Sequence, residues 1–176
     1  MNTNKLQVFV FAMLFVVGAF TGCVDEDDDD KTTTDNTIKI GFLNPITGPL
    51  EPDAPGFKWG ADQAISDLAK MYPNETFKLI ELDSGCSGDV AGPAAQTLVD
   101  SGVVAVVGAA CSGASMSANA VLAAAGIPMI SYASTNPGLS DEAKYPHFYR
   151  NVPSDAIQGP AGAAMMADAG VPNESL

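Results

Sequence analysis

The chain contains few basic residues. Eight Lys and Arg stand against 21 Asp and Glu, and the formal net charge is −13. No cluster of basic residues is present, so the sequence lacks the electrostatic footprint of a nucleic-acid-binding protein, and we expect no nucleic-acid partner. Six of the acids form one run, from 25 to 30. Such a run is typical of a solvated segment rather than of a site for a cationic ligand.

Aromatic residues, histidine and cysteine are also scarce. Aromatic residues make up 7% of the chain, whereas Ala, Gly and Val dominate an apolar content of 47%. This balance suits tightly packed layers of helices and sheet better than a β-sandwich. The chain has one histidine, three cysteines and no Cys-x-x-Cys pair, which argues against a zinc site. We therefore predict no metal and no cofactor.

Residues 1–23 have the pattern of an export signal. The apolar run from 8 to 20 is short for a bilayer span and has the usual length of a signal-peptide core. It ends in Phe20-Thr21-Gly22-Cys23, which resembles the lipobox of exported lipoproteins. We predict a lipid on Cys23 and an extracytoplasmic chain tied to the outer face of the cell membrane; the alternative is an uncleaved anchor helix. Residues 24–37, acidic and then rich in Thr and Asn, are predicted to form a disordered tether.

Strand and helix patterns alternate from residue 38 onwards. Apolar runs predict strands at 38–43, 77–82, 103–107, 127–131 and 148–150. Helical periodicity predicts helices at 59–71, 90–100, 112–125 and 156–169. We expect Asp89 to cap the second helix, and Trp59 and the Met165–Met166 pair to pack in the core or between helices.

This alternation predicts an α/β fold with a doubly wound, mostly parallel sheet and right-handed crossovers. Each strand then delivers a loop rich in Gly, Ser, Thr or Asn to the same edge of the sheet. In open α/β sheets, that edge is where ligands bind.

The stretch from Val103 to Ser115 is the first candidate for a binding site. It combines a buried strand that ends at Gly108 with a helix that begins near Ser112. Hydroxyl and backbone N–H groups at a helix start suit an anion such as a carboxylate. The same pattern is typical of an ordinary N-cap on a structural helix, and the stretch alone favours that simpler interpretation.

Cys86 and Cys111 each follow a predicted strand. If the two strands are neighbours in the sheet, the sulfurs could meet at its edge, and an oxidising compartment would permit a disulfide. Two free thiols or a metal site are the alternatives that the residues themselves leave open.

Five stretches together resemble one protein family. They are Ile40–Pro49, Gly60–Ala64, Gly108–Ser112, Ile127–Thr135 and Gln158–Pro160. In this order and spacing they are similar to the N-terminal lobe of type I periplasmic binding proteins, in particular the leucine/isoleucine/valine binders of ABC importers. The resemblance implies a three-layer αβα lobe over residues 38–176, with the second lobe absent. It also implies a solute-binding protein that delivers an amino acid, or a related small amide, to a permease and its ATPase.

The resemblance implies a set of ligand-binding residues. The position matching Ser112 holds the α-carboxylate of the amino acid with its hydroxyl and backbone N–H. Ala133 offers a backbone carbonyl and Thr135 a hydroxyl to the α-ammonium group, with Ser134 between them in the same loop. The acidic residue that completes the ammonium site is expected beyond the end of the chain.

The resemblance also bears on a disulfide and on ligand choice. Cys86 and Cys111 match a disulfide of the leucine/isoleucine/valine binders. Asp53 stands where the family often has an aromatic residue against the ligand side chain. The resemblance therefore leaves the identity of the ligand open.

Two other functions are retained as alternatives. The same fold serves as the ligand-sensing lobe of membrane receptors, which a membrane span and a kinase beyond Leu176 would favour. A secreted serine hydrolase would use Ser112 or Ser115 with His147, but the turn lacks the Gly-x-Ser-x-Gly pattern and no Asp is placed to orient the histidine. We therefore predict a binding protein and not an enzyme.

Overall fold

The computed structural model describes residues 36–171. The predicted signal peptide, the predicted lipidation site at Cys23 and nearly all of the predicted tether lie outside the described residues. Within 36–171, none of the helices combines the length and the apolar character needed to cross a membrane.

A five-stranded parallel sheet organises the described part of the chain. The strands are β1 (Thr37–Asn44), β2 (Thr76–Asp83), β3 (Ala105–Val107), β4 (Met129–Ser131) and β5 (Phe148–Arg150). Their order in the sheet is β2-β1-β3-β4-β5, and every neighbouring pair is parallel. The chain therefore adds β2 on one side of β1 and all later strands on the other. The boundary between β1 and β3 is the topological switch point, where doubly wound sheets bind ligands.

Four α-helices connect and cover these strands. They are α1 (Ala54–Met71), α2 (Gly88–Asp100), α3 (Ser112–Ala124) and α4 (Asp155–Asp168). Two short 3-10 turns, Glu51–Asp53 and Pro137–Ser140, precede α1 and follow β4. The predicted α/β fold with a doubly wound parallel sheet is confirmed.

The two faces of β1 separate the layers of the fold. Leu43 is fully buried in a core that it shares with the alanine-rich faces of α2 and α3. Its neighbour Phe42 is equally buried but points to the opposite face, where its ring lies 6.0 Å from that of Tyr132. Because side chains alternate along a strand, one strand serves both layers. The result is the predicted order of helix, sheet and helix.

Several element boundaries differ from the predictions for local physical reasons. Helix α1 begins five residues earlier than predicted, because Pro55 is compatible with a first helical turn. Ser87, and not Asp89, caps α2: the Ser87 hydroxyl accepts a hydrogen bond from the Asp89 N–H at 3.3 Å. Asp89 instead lies inside the first turn, where a carboxylate interacts favourably with the helix dipole.

The expected packing of three large apolar side chains is wrong for the described structure. Trp59 is 68% exposed, and Met165 and Met166 are 73% and 45% exposed. None of the residues of α4 is buried. These side chains are therefore not part of the core formed by residues 36–171.

Candidate ligand-binding site

Three loops meet at the carboxyl edge of the sheet around the switch point. They follow β1, β3 and β4; the β3 loop leads to Ser112, and the β4 loop carries Ala133, Ser134 and Thr135. The β3 and β4 loops come from neighbouring strands, so the fold brings these four residues into one region.

Ser112 is the first residue of α3 and is held by the β4 loop. Its Oγ accepts a hydrogen bond from the N–H of Asn136 at 3.2 Å. The N-cap of α3 is Cys111, and no side chain caps the N–H groups of the first turn. An uncapped helix start combines free N–H donors with the positive end of the helix dipole. This end of α3 is therefore suited to a carboxylate.

The other polar half of the site lies in the β4 loop. The carbonyl of Ala133 accepts no hydrogen bond from residues 36–171. The hydroxyl of Thr135 donates to the carboxylate of Asp155 at 2.8 Å, and the N–H of Asp155 donates to the carbonyl of Thr135 at 2.9 Å. Acceptor groups thus lie one loop away from the donors of α3.

Asp155 is a candidate site residue that the sequence did not reveal. In the sequence it follows Ser154 at the start of a helix, where an acid already has a structural explanation, the helix dipole. The acid expected beyond the end of the chain stays a prediction, and the structure adds a carboxylate beside Thr135. Asp155 could have been identified only from the position of the start of α4 at the carboxyl edge of the sheet. That position depends on the order of the strands and not on a local sequence pattern.

Buried hydroxyl groups fasten the β4 loop to the β3 loop. The Ser131 hydroxyl donates to the carbonyl of Ala109 at 2.6 Å and accepts from the N–H of Ser134 at 2.9 Å. The Ser134 Oγ lies 2.8 Å from the Ser115 Oγ and within reach of the carbonyls of Ala109 and Ala110. The hydroxyl of Ser134 is thus engaged inside the protein, and its contact with a ligand stays a prediction.

The arrangement required for a serine hydrolase is absent from the described residues. Ser115 is fully buried and donates to the carbonyl of Ala109 at 3.1 Å. His147 directly precedes β5 and so lies at the amino edge of the sheet, opposite to the loops that hold Ser112. A nucleophile and its base must be within hydrogen-bond reach, and these residues stand at opposite edges.

Cys86 and Cys111 form a disulfide whose Cα atoms are 5.1 Å apart. Their strands are not neighbours, because β1 lies between β2 and β3. The cysteines meet because α2 and α3 pack side by side on one face of the sheet, so the loops that enter these helices approach each other across the end of β1.

The β1 loop is fastened to the β2 loop by Asp83. One carboxylate oxygen accepts from the N–H groups of Thr47 and Gly85 at 3.1 and 2.8 Å, and the other accepts from the Thr47 hydroxyl at 2.6 Å. Partial burial acts to raise the pKa of Asp83, but these hydrogen bonds outweigh it and bring the pKa below its usual range. Asp53, further along the same loop, is exposed.

The hydrogen bonds to Asp83 predict a pH-dependent difference in stability between the wild-type protein and a variant that lacks this carboxylate. A carboxyl group whose native pKa is lowered stabilises the fold above the unfolded-state pKa of about 3.9 and loses this contribution as the pH falls through the native value. Asp83→Asn should therefore lower the free energy of unfolding at pH 7, and its deficit relative to wild type should shrink below about pH 4. Urea titrations at several pH values measure this difference. A deficit that stays constant from pH 7 to pH 3 would contradict it.

Tyr132 fixes the start of the β4 loop to β1. Its hydroxyl donates to the carbonyl of Leu43 at 3.3 Å, and its ring packs 5.0 Å from that of Phe57. Burial, together with the charge of Glu81, raises the pKa of Tyr132, so the phenol stays protonated and keeps this bond at neutral pH.

A parallel sheet whose loops bring donor and acceptor groups together at its carboxyl edge is typical of α/β domains that bind small molecules. Residues 60–173 match the family described as "Receptor family ligand binding region", and the chain belongs to that family.

Individual relatives are binding proteins and receptors. The leucine-specific-binding protein of Salmonella typhimurium is 31% identical over 72% of this chain and 34% of its own length. The structure of the branched-chain amino acid transporter substrate binding protein LivJ from Streptococcus pneumoniae in complex with isoleucine has a TM-score of 0.62 and 30% identity, over 68% of this chain and 34% of that one. Rat metabotropic glutamate receptor 6 is 46% identical over 43% of this chain and 8% of its own length.

The chain spans about a third of the length of the leucine-binding relatives that it matches. These relatives agree with the prediction of a binding protein rather than an enzyme.

Proposed function

We propose that this chain forms the first lobe of an extracytoplasmic solute-binding protein that delivers an amino acid to the permease and ATPase of an ABC importer. The observation that supports it most directly is the pairing of opposite polar groups in neighbouring loops. Ser112 and the uncapped start of α3 offer donors, and Ala133 with Thr135 and Asp155 offers acceptors.

A zwitterion requires both kinds of group. The α-carboxylate would accept hydrogen bonds from the Ser112 hydroxyl and the N–H groups of α3, where the helix dipole adds to the attraction. The α-ammonium would donate to the Ala133 carbonyl and to the Asp155 carboxylate, which Thr135 holds in place. Hydrogen bonds to charged groups contribute about 1.5–3 kcal/mol each, which suffices for tight binding when several act together.

The remaining parts of the proposal concern segments outside the described residues. We propose that Cys23 carries the lipid that holds the protein at the outer face of the membrane. We also propose that a second lobe, encoded beyond Leu176, closes over the ligand, since the leucine-binding relatives are about three times as long as their match to this chain.

Ligands that lack one charge test the proposed zwitterion site. In the full-length gene product, calorimetry should detect the binding of L-leucine or L-isoleucine. L-Leucinamide lacks the carboxylate and 4-methylpentanoate lacks the ammonium group, so each should bind at least about tenfold more weakly. If no amino acid binds, or if leucinamide binds as well as leucine, the proposed function is wrong.

A receptor lobe that senses its ligand remains the second candidate because of the match to the glutamate receptor. That match covers 43% of the chain, whereas the leucine-binding match covers 72%, so the importer is favoured. The gene downstream of codon 176 separates the two: a second lobe followed by a stop supports the importer, and a membrane span supports the receptor.

A further inference from the structure

Arg150 holds together the segment that carries the candidate ligand-binding loop. It is the last residue of β5 and the only arginine in the chain. Its Nη1 donates to the carbonyl of Ser134 at 3.3 Å and to the carbonyl of Asn136 at 2.9 Å, and its Nη2 donates to the hydroxyl of Ser140 at 2.5 Å. A single planar guanidinium therefore joins both ends of residues 134–140 to the sheet.

Asn136 connects this guanidinium to Ser112. Its carbonyl accepts from Arg150, and its N–H donates to the Oγ of Ser112 at 3.2 Å. Its side-chain oxygen accepts from the N–H of Gly138 at 2.8 Å, which makes Asn136 the N-cap of the 3-10 turn. Both backbone polar groups and the side chain of Asn136 are thus fixed.

The bond from Asn136 determines what the Ser112 hydroxyl can do. A hydroxyl has one proton and two lone pairs. When a lone pair accepts from Asn136, the oxygen is held in place and the proton remains free to be donated. Within residues 36–171 the Ser112 hydroxyl has no acceptor, so a carboxylate placed at the start of α3 would meet a donor that is already oriented.

The positive charge of Arg150 could also attract the ligand directly, and this effect can be separated from the effect of its hydrogen bonds. No carboxylate of residues 36–171 lies within 4.0 Å of the guanidinium, so its positive charge could attract an anion directly. Lys keeps this charge but lacks the planar fork that reaches two carbonyls and a hydroxyl.

We propose that Arg150 is a positioning residue for the ligand carboxylate: through Asn136 it orients the Ser112 hydroxyl as a donor. This rests on the proposed function, in which Ser112 binds the carboxylate. The geometry makes the effect of Arg150 depend on the presence of the Ser112 hydroxyl.

A double-mutant cycle in the full-length gene product tests this dependence. Arg150→Lys should weaken the binding of L-leucine by about tenfold in the wild-type background and by less than about twofold in a Ser112→Ala background, because interacting residues are not additive. An equal loss in both backgrounds, or an undiminished affinity of Arg150→Lys, overturns the proposal.

Asn136 offers a matched pair of variants that leaves Arg150 in place. The φ of Asn136 is −54°, which proline can adopt, so Asn136→Pro removes the N–H while keeping the φ of this residue. Asn136→Ala removes the same side chain but keeps the N–H. Asn136→Pro should bind L-leucine about tenfold more weakly than Asn136→Ala. Equal affinities of the two variants also overturn the proposal.

A measurement without ligand separates this inference from the proposed function. Hydrogen exchange at the Asn136 amide should be at least about tenfold faster in Arg150→Lys than in wild type, because the loop loses its attachment to β5. If the wild-type protein binds no amino acid, the proposed function fails, and exchange at Asn136 still decides whether Arg150 holds the Asn136 N–H against Ser112. Unchanged protection in Arg150→Lys overturns it.

Discussion

Replacing Ser112 and Thr135 together by Ala in the full-length gene product is expected to abolish amino-acid binding. Ser112 supplies a donor at the start of α3, and Thr135 holds the Asp155 carboxylate at 2.8 Å. If each lost hydrogen bond to a charged group costs about 1.5–3 kcal/mol, the pair reduces affinity by roughly 10²–10⁴-fold. Isothermal calorimetry with L-leucine and L-isoleucine measures this loss.

A matched control removes one Ser and one Thr hydroxyl elsewhere. Ser66 lies exposed on α1, and Thr97 lies exposed near the carboxyl end of α2, at the opposite edge of the sheet from the candidate site. Ser66→Ala with Thr97→Ala should retain wild-type affinity. An unchanged affinity of the Ser112 and Thr135 variant would show that the site has been assigned to the wrong residues.

Loss of the Cys86–Cys111 disulfide is expected to have the largest effect on stability. The bond joins residues 25 positions apart. In the chain-entropy model, such a loop contributes about 3–4 kcal/mol by restricting the unfolded chain. The double variant Cys86→Ser/Cys111→Ser should lose that amount of unfolding free energy in urea titrations.

Reduction provides an independent version of the same experiment. Wild-type protein unfolded in urea with dithiothreitol should match the stability of the serine variant, whereas the variant itself should not respond to the reductant. A difference below about 1 kcal/mol between oxidised and reduced wild type would contradict a stabilising role for this bond.

Local sequence patterns predict the helices and strands but not which of them are neighbours in the fold. The predicted strand 148–150 coincides with β5, and the predicted helix 112–125 differs from α3 by one residue. The pairing of Cys86 with Cys111 could not be derived from neighbouring strands, because β1 separates them. Hydrophobic periodicity determines which face of an element is buried, whereas the order of strands depends on long-range packing.

The candidate site likewise contains residues that a local sequence pattern reveals and residues that no such pattern reveals. Ser112 carries a recognisable signal, since hydroxyl residues at a helix start are typical of anion sites. Asp155 carries none, because an acid at the start of α4 has an ordinary structural explanation and only the folded chain brings it to Thr135. The N–H of Asn136 and the guanidinium of Arg150 are equally invisible, since backbone groups and distant partners leave no local pattern.

The order of the strands has a consequence for the order in which the sheet can assemble as the chain is made. Once β1 and β2 have paired, β3 adds beside β1, β4 beside β3, and β5 beside β4. Each new strand therefore docks on an open edge, β3 on the free side of β1 and each later strand on its predecessor, and no strand must be inserted between two already paired. The final edge strand, β5, is three residues long and lies between Pro146 and Pro153. Short edges flanked by proline resist pairing with other chains, so the last strand to join the described sheet is protected from aggregation.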